Sequence, residues 1–545
     1  MARAVGIDLG TTFSAVAVVD AAGTPVIVRT AEGRSTTPSV VRFDTSAGSD
    51  LPVVGEAALA TAASRHEDTV QYVKRFMGDP TWRFDSATDE QYRAEEVSAL
   101  ILRALVREAE ATLGEPITDV VITVPAYFDD SRRTATMQAG TIAGLTVLHV
   151  LNEPTAAALS FGVSTDNDGI VLVYDLGGGT FDVTILGIED QRFSVLATDG
   201  DRNLGGFDWD NAIMNHVVSE LASTHGLVDV LDDLDAVAVL RQEAERAKRD
   251  LSTAEETTIT LPVAGASYTV GLTRERFEQS TRPLLRRTQE LVEDTLDEAG
   301  LGWGDIDTIV LVGGSTRMPA VRELITRLTG RAPAEGVDPD EAVALGAAIR
   351  AAQAGEPRAG TPTLDAVTVT DVTSHALGTL ALDDDENVRN FVVIAKNEPV
   401  PAVGWQYMST MRPSDRLTVS VTQGDDPDPD FVTEIGRGEL ALDEEWPAGT
   451  EFQIVYRYDV DQLVHVEVYR LPEDALAGSF GIDRVANLTT VEVERATAKL
   501  DALAPAAAPL PPAPSLPLPT LGMPLPTLSA PLHAPQQQPS THPTR

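Results

Sequence analysis

Apolar and polar positions follow two different rhythms along the 545 residues. Up to about residue 357, short continuous apolar runs (VITV, IVLVYDL, TIVLVGG) alternate with longer stretches such as EEVSALILRALVREAEATL, whose apolar residues recur every three or four positions. The runs predict buried strands and the longer stretches predict amphipathic helices, an α/β pattern. From about 366 to 485 the rhythm becomes strict alternation in short pieces (RLTVSVTQ, FQIVYRYDV, LVHVEVYRL) divided by Asp, Gly and Pro, which predicts an all-β domain. GEPRAGTPT, 355 to 363, reads as a linker, and LTTVEVERATAKLDAL predicts one modest helix. The segment 505–545 carries 13 prolines and three consecutive glutamines, a composition that builds no core and is expected to stay disordered. The expected boundaries are 1–357, a linker 358–370, a β domain 371–486, a helix 487–503 and a tail 504–545.

The first region repeats itself. VGIDLGTTFSAVAV (Val5–Val18) and VYDLGGGTFDVTIL (Val173–Leu186) match with Asp8 over Asp175, 167 positions apart, which predicts two duplicated halves. In each copy an apolar strand delivers an Asp to a turn of small residues: Gly10, Thr11 and Thr12 in one, closed by Phe13, and Gly177, Gly178, Gly179 and Thr180 in the other. Glycines let backbone N–H groups close on an anion, and clustered N–H groups form a phosphate cradle. Two such loops facing one another would grip one polyphosphate, with Asp8 and Asp175 holding a hydrated Mg²⁺ between them. The P-loop pattern G-x-x-x-x-G-K-[ST] is absent.

Composition narrows the functional classes. A formal charge of −42 argues against nucleic acid or an acidic membrane as a general partner. No apolar run approaches the roughly 18 residues a spanning helix needs, and a first strand from about Ala4 is expected to leave no room for a signal peptide. With no cysteine, thiolate chemistry and disulfides are out, and a cytoplasmic location is the default expectation. Lysine occurs only at 74, 248, 396 and 499, against many arginines, so each Lys invites a reason.

The stretches GIDLGTTFS, VITVPAYFDDSRR, LNEPTAAALSFG, VYDLGGGTFD, NLGG, EAERAKRDLS, LVGGSTRMP and DPDEAVALGAA, in this order over most of 1–350, resemble the seventy-kilodalton heat-shock chaperones of the actin-like ATPase superfamily. The resemblance implies a two-lobed α/β ATPase domain of the actin-like, ribonuclease-H-like kind, then a peptide-binding β-sandwich. It implies slow hydrolysis of ATP to ADP with Mg²⁺, with K⁺ as a further candidate ion. It also assigns roles: Lys74 holds the attacking water and γ-phosphate, Glu153 orders the Mg²⁺ water shell, and Thr180 and Asp182 stand near the γ-phosphate, with Asp8 and Asp175 flanking the metal. Gly205 and Gly206 belong to the nucleotide site. Glu245, Lys248, Arg249 and Ser252 fall on one helical face, which by spacing alone is equally an ordinary surface array. Gly313, Gly314, Ser315 and Arg317 close over the nucleoside, with Asp340 on the same side, and two planar guanidiniums, Arg249 and Arg317, can sandwich an adenine. Pro125 and Arg133 match the relay between nucleotide state and client domain. DVTSHALG, IAKNEPVP and TVSVTQG mark the client domain, where Leu380, Leu382, Met411, Leu417 and Val419 are pocket candidates.

The chain also departs from the family. Its interdomain stretch is VTVT (367–370) instead of leucine-rich, so Thr368 and Thr370 predict weaker docking. The segment between Lys74 and Pro125 is short, which trims a subdomain, and position 149 is His where an Arg that meets J-domain co-chaperones is usual. Both features count against a J-domain co-chaperone and a nucleotide exchange factor as partners. The long helical lid is missing. The expected function is an ATP-dependent chaperone for extended segments of unfolded proteins. The alternatives are a nucleotide-gated adaptor for one partner and, less favoured, a small-molecule kinase.

Overall fold

The computed structural model describes residues 3–45, 51–165, 168–263, 265–355, 367–383, 385–481 and 487–503. The expectations for 358–366 of the linker and for the tail 504–545 lie outside the described residues.

Two sheets built to one plan make up the first region. In the first, β1 (Arg3–Asp8) and β2 (Phe13–Val19) form an antiparallel hairpin with Asp8 opposite Ala15. Two strands, β3 (Ile117–Val124) and β4 (Thr146–Asn152), add in parallel beyond β1. In the second, β5 (Gly169–Leu176) and β6 (Phe181–Glu189) make the hairpin, with Asp175 opposite Asp182. There β7 (Arg192–Asp201) continues antiparallel, and β8 (Thr308–Val312) adds in parallel to β5. The sequence repeat is therefore a repeat of hairpins, each first strand ending at or just past its Asp. Helices cover the sheets, and β5 is buried from Val171 to Leu176, which is why it reads as a continuous apolar run.

Helices α1 (Ala94–Leu113) and α2 (Asp130–Ile142) pack in the core of the first lobe. The second lobe is covered by α4 (Gly206–His225) and α5 (Leu234–Leu251). Between them in the chain, α3 (Glu153–Thr165) meets the late helix α6 (Ala342–Ala354), which also lies on β1. A Cβ on Gly346 would sit 1.7 Å from the Ala156 carbonyl oxygen, so only glycine admits this approach.

The stretch expected to be a bare linker ends as a strand. β9 (Thr368–Thr370) pairs in parallel with β7 as the fifth strand of the second sheet, Phe193 opposite Val369. Val367 is buried and Val369 half-buried, whereas Thr368 and Thr370 are exposed. Leucines at 368 and 370 would therefore bury no extra area in this arrangement. The argument that these threonines weaken docking is corrected: the apolar side of the strand is supplied by the valines.

The β domain is a sandwich of two four-stranded antiparallel sheets, one built from 377–382, 388–394, 414–423 and 433–446, the other from 402–409, 451–458, 464–470 and 475–481. Its core includes Leu377, Ile394, Val421, Trp446, Ile454 and Val466. Tyr456 Oη, at 3.0 Å from Gly378 O and 3.1 Å from Ser420 O, ties one sheet to the other. The sandwich sits on the ATPase region: Lys396 Nζ donates to Asp199 and Glu298, both at 2.8 Å, and His149 pairs with Asp461. The final helix α7 (Thr490–Leu503) packs in turn against α1 and α2, with Leu500 and Ala496 buried in the first lobe's core. Lys499 Nζ lies 3.7 Å from the Tyr92 ring centroid and 3.1 Å from Glu96, and Arg103 reaches Asp501 at 2.6 Å.

One contact at this junction is expected to make docking pH-dependent. The His375 ring of the sandwich lies 4.2 Å from that of Tyr127 in the loop after β3, with Nδ1 3.1 Å from Ser374 Oγ. Burial pushes its imidazole down to about 3; Asp129 opposes this, while Arg133, Lys396 and Arg202 reinforce it. A docked form holding His375 neutral binds fewer protons than an undocked form with an ordinary imidazole. Docking is therefore fully supported above the free value near 6.5 and weakens as pH falls toward 3. A dye pair across the two domains is expected to report less docked protein at pH 5.5 than at 7.5. His375→Leu should flatten that profile, and an unaltered profile in the variant would refute the assignment.

Candidate active site

The two hairpin turns meet. A Cβ on Gly178 would lie 2.0 Å from Thr12 Oγ1, and one on Gly179 would lie 2.8 Å from Thr11 Cγ2, so the loops of the two lobes touch through the glycines. Gly205 backs onto Gly179 just as closely, its added Cβ 2.6 Å from that residue's backbone. Side chains at Gly178 or Gly179 would force the lobes apart. Between the loops opens a cleft of ≈ 740 Å³, within the usual range of small-molecule sites.

The floor of the cleft is acidic around one buried lysine. Lys74, in a short 3-10 turn (Val73–Phe76), is 5% exposed and ion-paired with Glu153 at the start of α3. Its Nζ stands 5.8 Å from the Phe128 ring centroid. Thr123 Oγ1 donates to Asp8 at 3.2 Å, and Tyr127 N donates to Asp182 at 3.0 Å. Burial, then Glu153, pushes the carboxyls of Asp8 and Asp182 up to about 7, and the same two causes lead for Asp175, which stands well above its ordinary value. Carboxylates this crowded hold protons unless a cation neutralises them, and an all-oxygen donor set is what a hard divalent ion takes. Among the described residues no three such groups converge closely enough to ligate a metal directly. Asp8, Asp175 and Glu153 are the cleft carboxylates that would hold a divalent ion here.

The far wall comes from the second lobe. Along α5, Arg249 pairs with Glu245 and places its guanidinium carbon 5.1 Å from the Phe13 ring centroid. Lys248 Nζ instead turns back to Gly206 O at 2.9 Å and Asp210 at 3.0 Å, holding the start of α4 against α5. Arg317 is fastened to Asp340 at 2.7 Å and Asp338 at 2.8 Å. Ser315 Oγ donates to Gly177 O at 3.0 Å, joining this wall to the phosphate loop. Gly313, Gly314 and Ser252 also line the cleft, as do Gly10, Thr11, Thr12, Phe13, Gly177, Gly178 and Thr180. Asp182, Gly179, Gly205 and Gly206 stand behind the lining. Arg34, Thr36 and Arg322 face the cleft too, and sequence reasoning missed them, since nothing in their spacing sets them apart.

Pro125 opens the loop after β3, its carbonyl accepting from Phe128 N at 3.1 Å. Arg133 is fully buried beneath that loop. It donates to Phe128 O and Ala126 O at 3.1 Å and to Asn152 Oδ1 at 2.6 Å. Asn152 Nδ2 continues to Asp371 at 2.7 Å, the first residue of the sandwich segment. The pocket candidates are not gathered in the same way. Leu417 and Val419 lie in the core between the sheets, Leu380 is half-buried, and Leu382 and Met411 are exposed.

A family model described as Hsp70 protein matches residues 4–86 and 79–505. The chain belongs to the Hsp70 family. Among curated Hsp70 relatives, the Chaperone protein DnaK of Deinococcus radiodurans is 40% identical over 531 residues, covering 91% of this chain and 81% of that protein. The Chaperone protein DnaK of Thermus thermophilus is 40% identical over 529 residues, covering 91% and 83%. That of Deinococcus proteolyticus is 41% identical over 496 residues, covering 85% and 75%. The Hsp70 fold, a two-lobed ATPase region followed by a β-sandwich, is what the sheets above describe, and ATP hydrolysis is the general activity of Hsp70 proteins. Among the described residues no helix is long and apolar enough to cross a membrane.

Proposed function

We propose that this protein is a slow, Mg²⁺-dependent ATPase that uses the nucleotide state of its cleft to control binding of extended peptide segments by its sandwich. The observation that carries this reading is the hydrogen-bonded chain Arg133–Asn152–Asp371, which runs from the loop over Lys74 to the base of the sandwich. A coupling element has to touch both sites and respond to both. In the cleft, Lys74 holds the attacking water against the γ-phosphate, the two glycine loops cradle the phosphates, and Arg249 and Arg317 flank the base. Magnesium supplies neutralisation of the phosphate charge when bound, and K⁺ is a further candidate. The chemistry asks for positioning and charge stabilisation more than covalent participation. A cytoplasmic setting fits these roles. His149 is already engaged by Asp461, so a J-domain co-chaperone would have to compete for that surface, and an exchange factor would meet a trimmed subdomain.

A dedicated adaptor is the second reading. It is favoured by Trp405 and Tyr407, which stand exposed on one face of the strand 402–409, a surface suited to a fixed partner. Steady-state ATP turnover with and without a panel of extended apolar peptides separates the two. Stimulation by many unrelated peptides is expected for the chaperone, and indifference to all of them would turn the assignment to the adaptor.

A further inference from the structure

The turn that carries Lys74 is held from across the cleft. Tyr72, two residues earlier, has φ 58° and ψ 27°, a left-handed conformation that bulky residues rarely adopt and that persists only where the surroundings impose it. What faces it is Phe207, in the first turn of α4 on the opposite lobe. The Tyr72 ring meets Phe207 edge-on, with centroids 5.0 Å apart at 71°. The guanidinium of Arg75, the residue after Lys74, lies 4.6 Å from the same ring centroid, and that of Arg241 from α5 lies 4.1 Å from it. Both distances are within the range where a cation is drawn to an aromatic face. Arg75 also comes within 3.8 Å of Asp208, and Arg241 donates to Asn211 at 2.9 Å. The chain on both sides of the buried lysine is thus seated on one aromatic ring that belongs to the other lobe.

We propose that Phe207 is a positioning residue for hydrolysis: a clamp across the lobes that sets Lys74 at its working height only when the lobes are closed. This rests on the role given above to Lys74. With the lobes together, Tyr72 and Arg75 keep their seat and the turn holds Lys74 against Glu153. With the lobes apart the ring withdraws, Tyr72 is free to leave its left-handed conformation, and the lysine loses its fixed position while the adenine wall and glycine loops keep their own contacts. The ring must be aromatic, because an aliphatic side chain of similar size offers neither guanidinium a π-face.

The test uses the full chain with Phe207→Leu, Phe207→Tyr, Arg75→Gln and Lys74→Ala, and reads single-turnover hydrolysis of prebound ATP beside the ATP dissociation constant. Phe207→Leu is expected to slow the single turnover by about tenfold or more, as misplacement of a reacting group does, with the dissociation constant within about twofold. Phe207→Tyr should stay near the parent rate, and Arg75→Gln should add little to Phe207→Leu, since both remove the same contact. A Leu variant at the parent rate, or Leu and Tyr variants slowed alike, overturns the clamp. So does a loss of ATP affinity in step with the rate. Lys74→Ala keeps the two claims apart. If it stalls while Phe207→Leu does not, the clamp alone falls; if it turns over normally, the reading of the site falls first.

Discussion

Lys74→Ala is expected to bind ATP about as tightly as the parent chain and to hydrolyse it about a hundredfold to a thousandfold more slowly, the usual cost of removing one preorganised electrostatic contact to a transition state. The split follows from where the lysine sits. Its ammonium is buried beside Glu153 on the cleft floor, among Asp8, Asp175 and Asp182. In the proposed reading nucleotide affinity draws on other groups: the touching glycine loops, and the arginine wall fastened by Asp340 and Glu245. Lys74→Arg should not rescue, because a forked guanidinium does not fit a pocket shaped around a compact charge. Single-turnover rates beside equilibrium ATP binding check the prediction, and turnover at the parent rate in Lys74→Ala would remove the lysine from the mechanism.

Arg133→Ala should sever the connection between cleft and sandwich and lower the stability of the ATPase region as well. Arg133 is 1% exposed and gives hydrogen bonds to Phe128 O, Ala126 O and Asn152. Truncation leaves three buried acceptors without their donor, each worth about 1–3 kcal/mol when unsatisfied. Released from Arg133, Asn152 no longer has a fixed orientation toward Asp371, so peptide binding and nucleotide state are expected to vary independently. The measurements are a thermal melt and the ratio of peptide-stimulated to basal ATPase. Arg133→Lys separates the two effects, since it restores one donor and the charge without the fork. Loss of stimulation with most of the stability recovered is the expected result, and full stimulation in Arg133→Ala would show that the path carries no coupling.

Much of this molecule was readable in advance, and the readable parts share a cause. Strand, Asp and small-residue turn recur at Asp8 and Asp175, where the two loops meet through glycines, and such close backbone approach leaves a mark in residue type and spacing alike. The alternation of strands and helices to 357, and of short strands after 366, is similarly a direct imprint of burial on one or two faces. Thr368 and Thr370 show where such reading fails. Their polarity suggested poor docking, yet a strand of period two needs only every second residue to be apolar, and Val367 and Val369 fill that side. The pocket candidates were spread by the same rule, since alternation does not tell a core-facing leucine such as Leu417 from a cleft-facing one.

The sequence by itself determined the duplicated ATPase region, the β-sandwich and the identity of most cleft residues, because these depend on local periodicity and on motifs whose chemistry is written in adjacent positions. Tertiary structure alone decided that Gly178 rests against Thr12, that α7 lies in the core of the first lobe, that the His375 ring meets that of Tyr127, and that Phe207 receives Tyr72 and Arg75 from either side of Lys74. Each of these joins residues far apart in the chain through a few contacts. Such a pairing leaves no period or motif behind, since any of many residue pairs could have met there, and only the packing of whole elements selects the one that does.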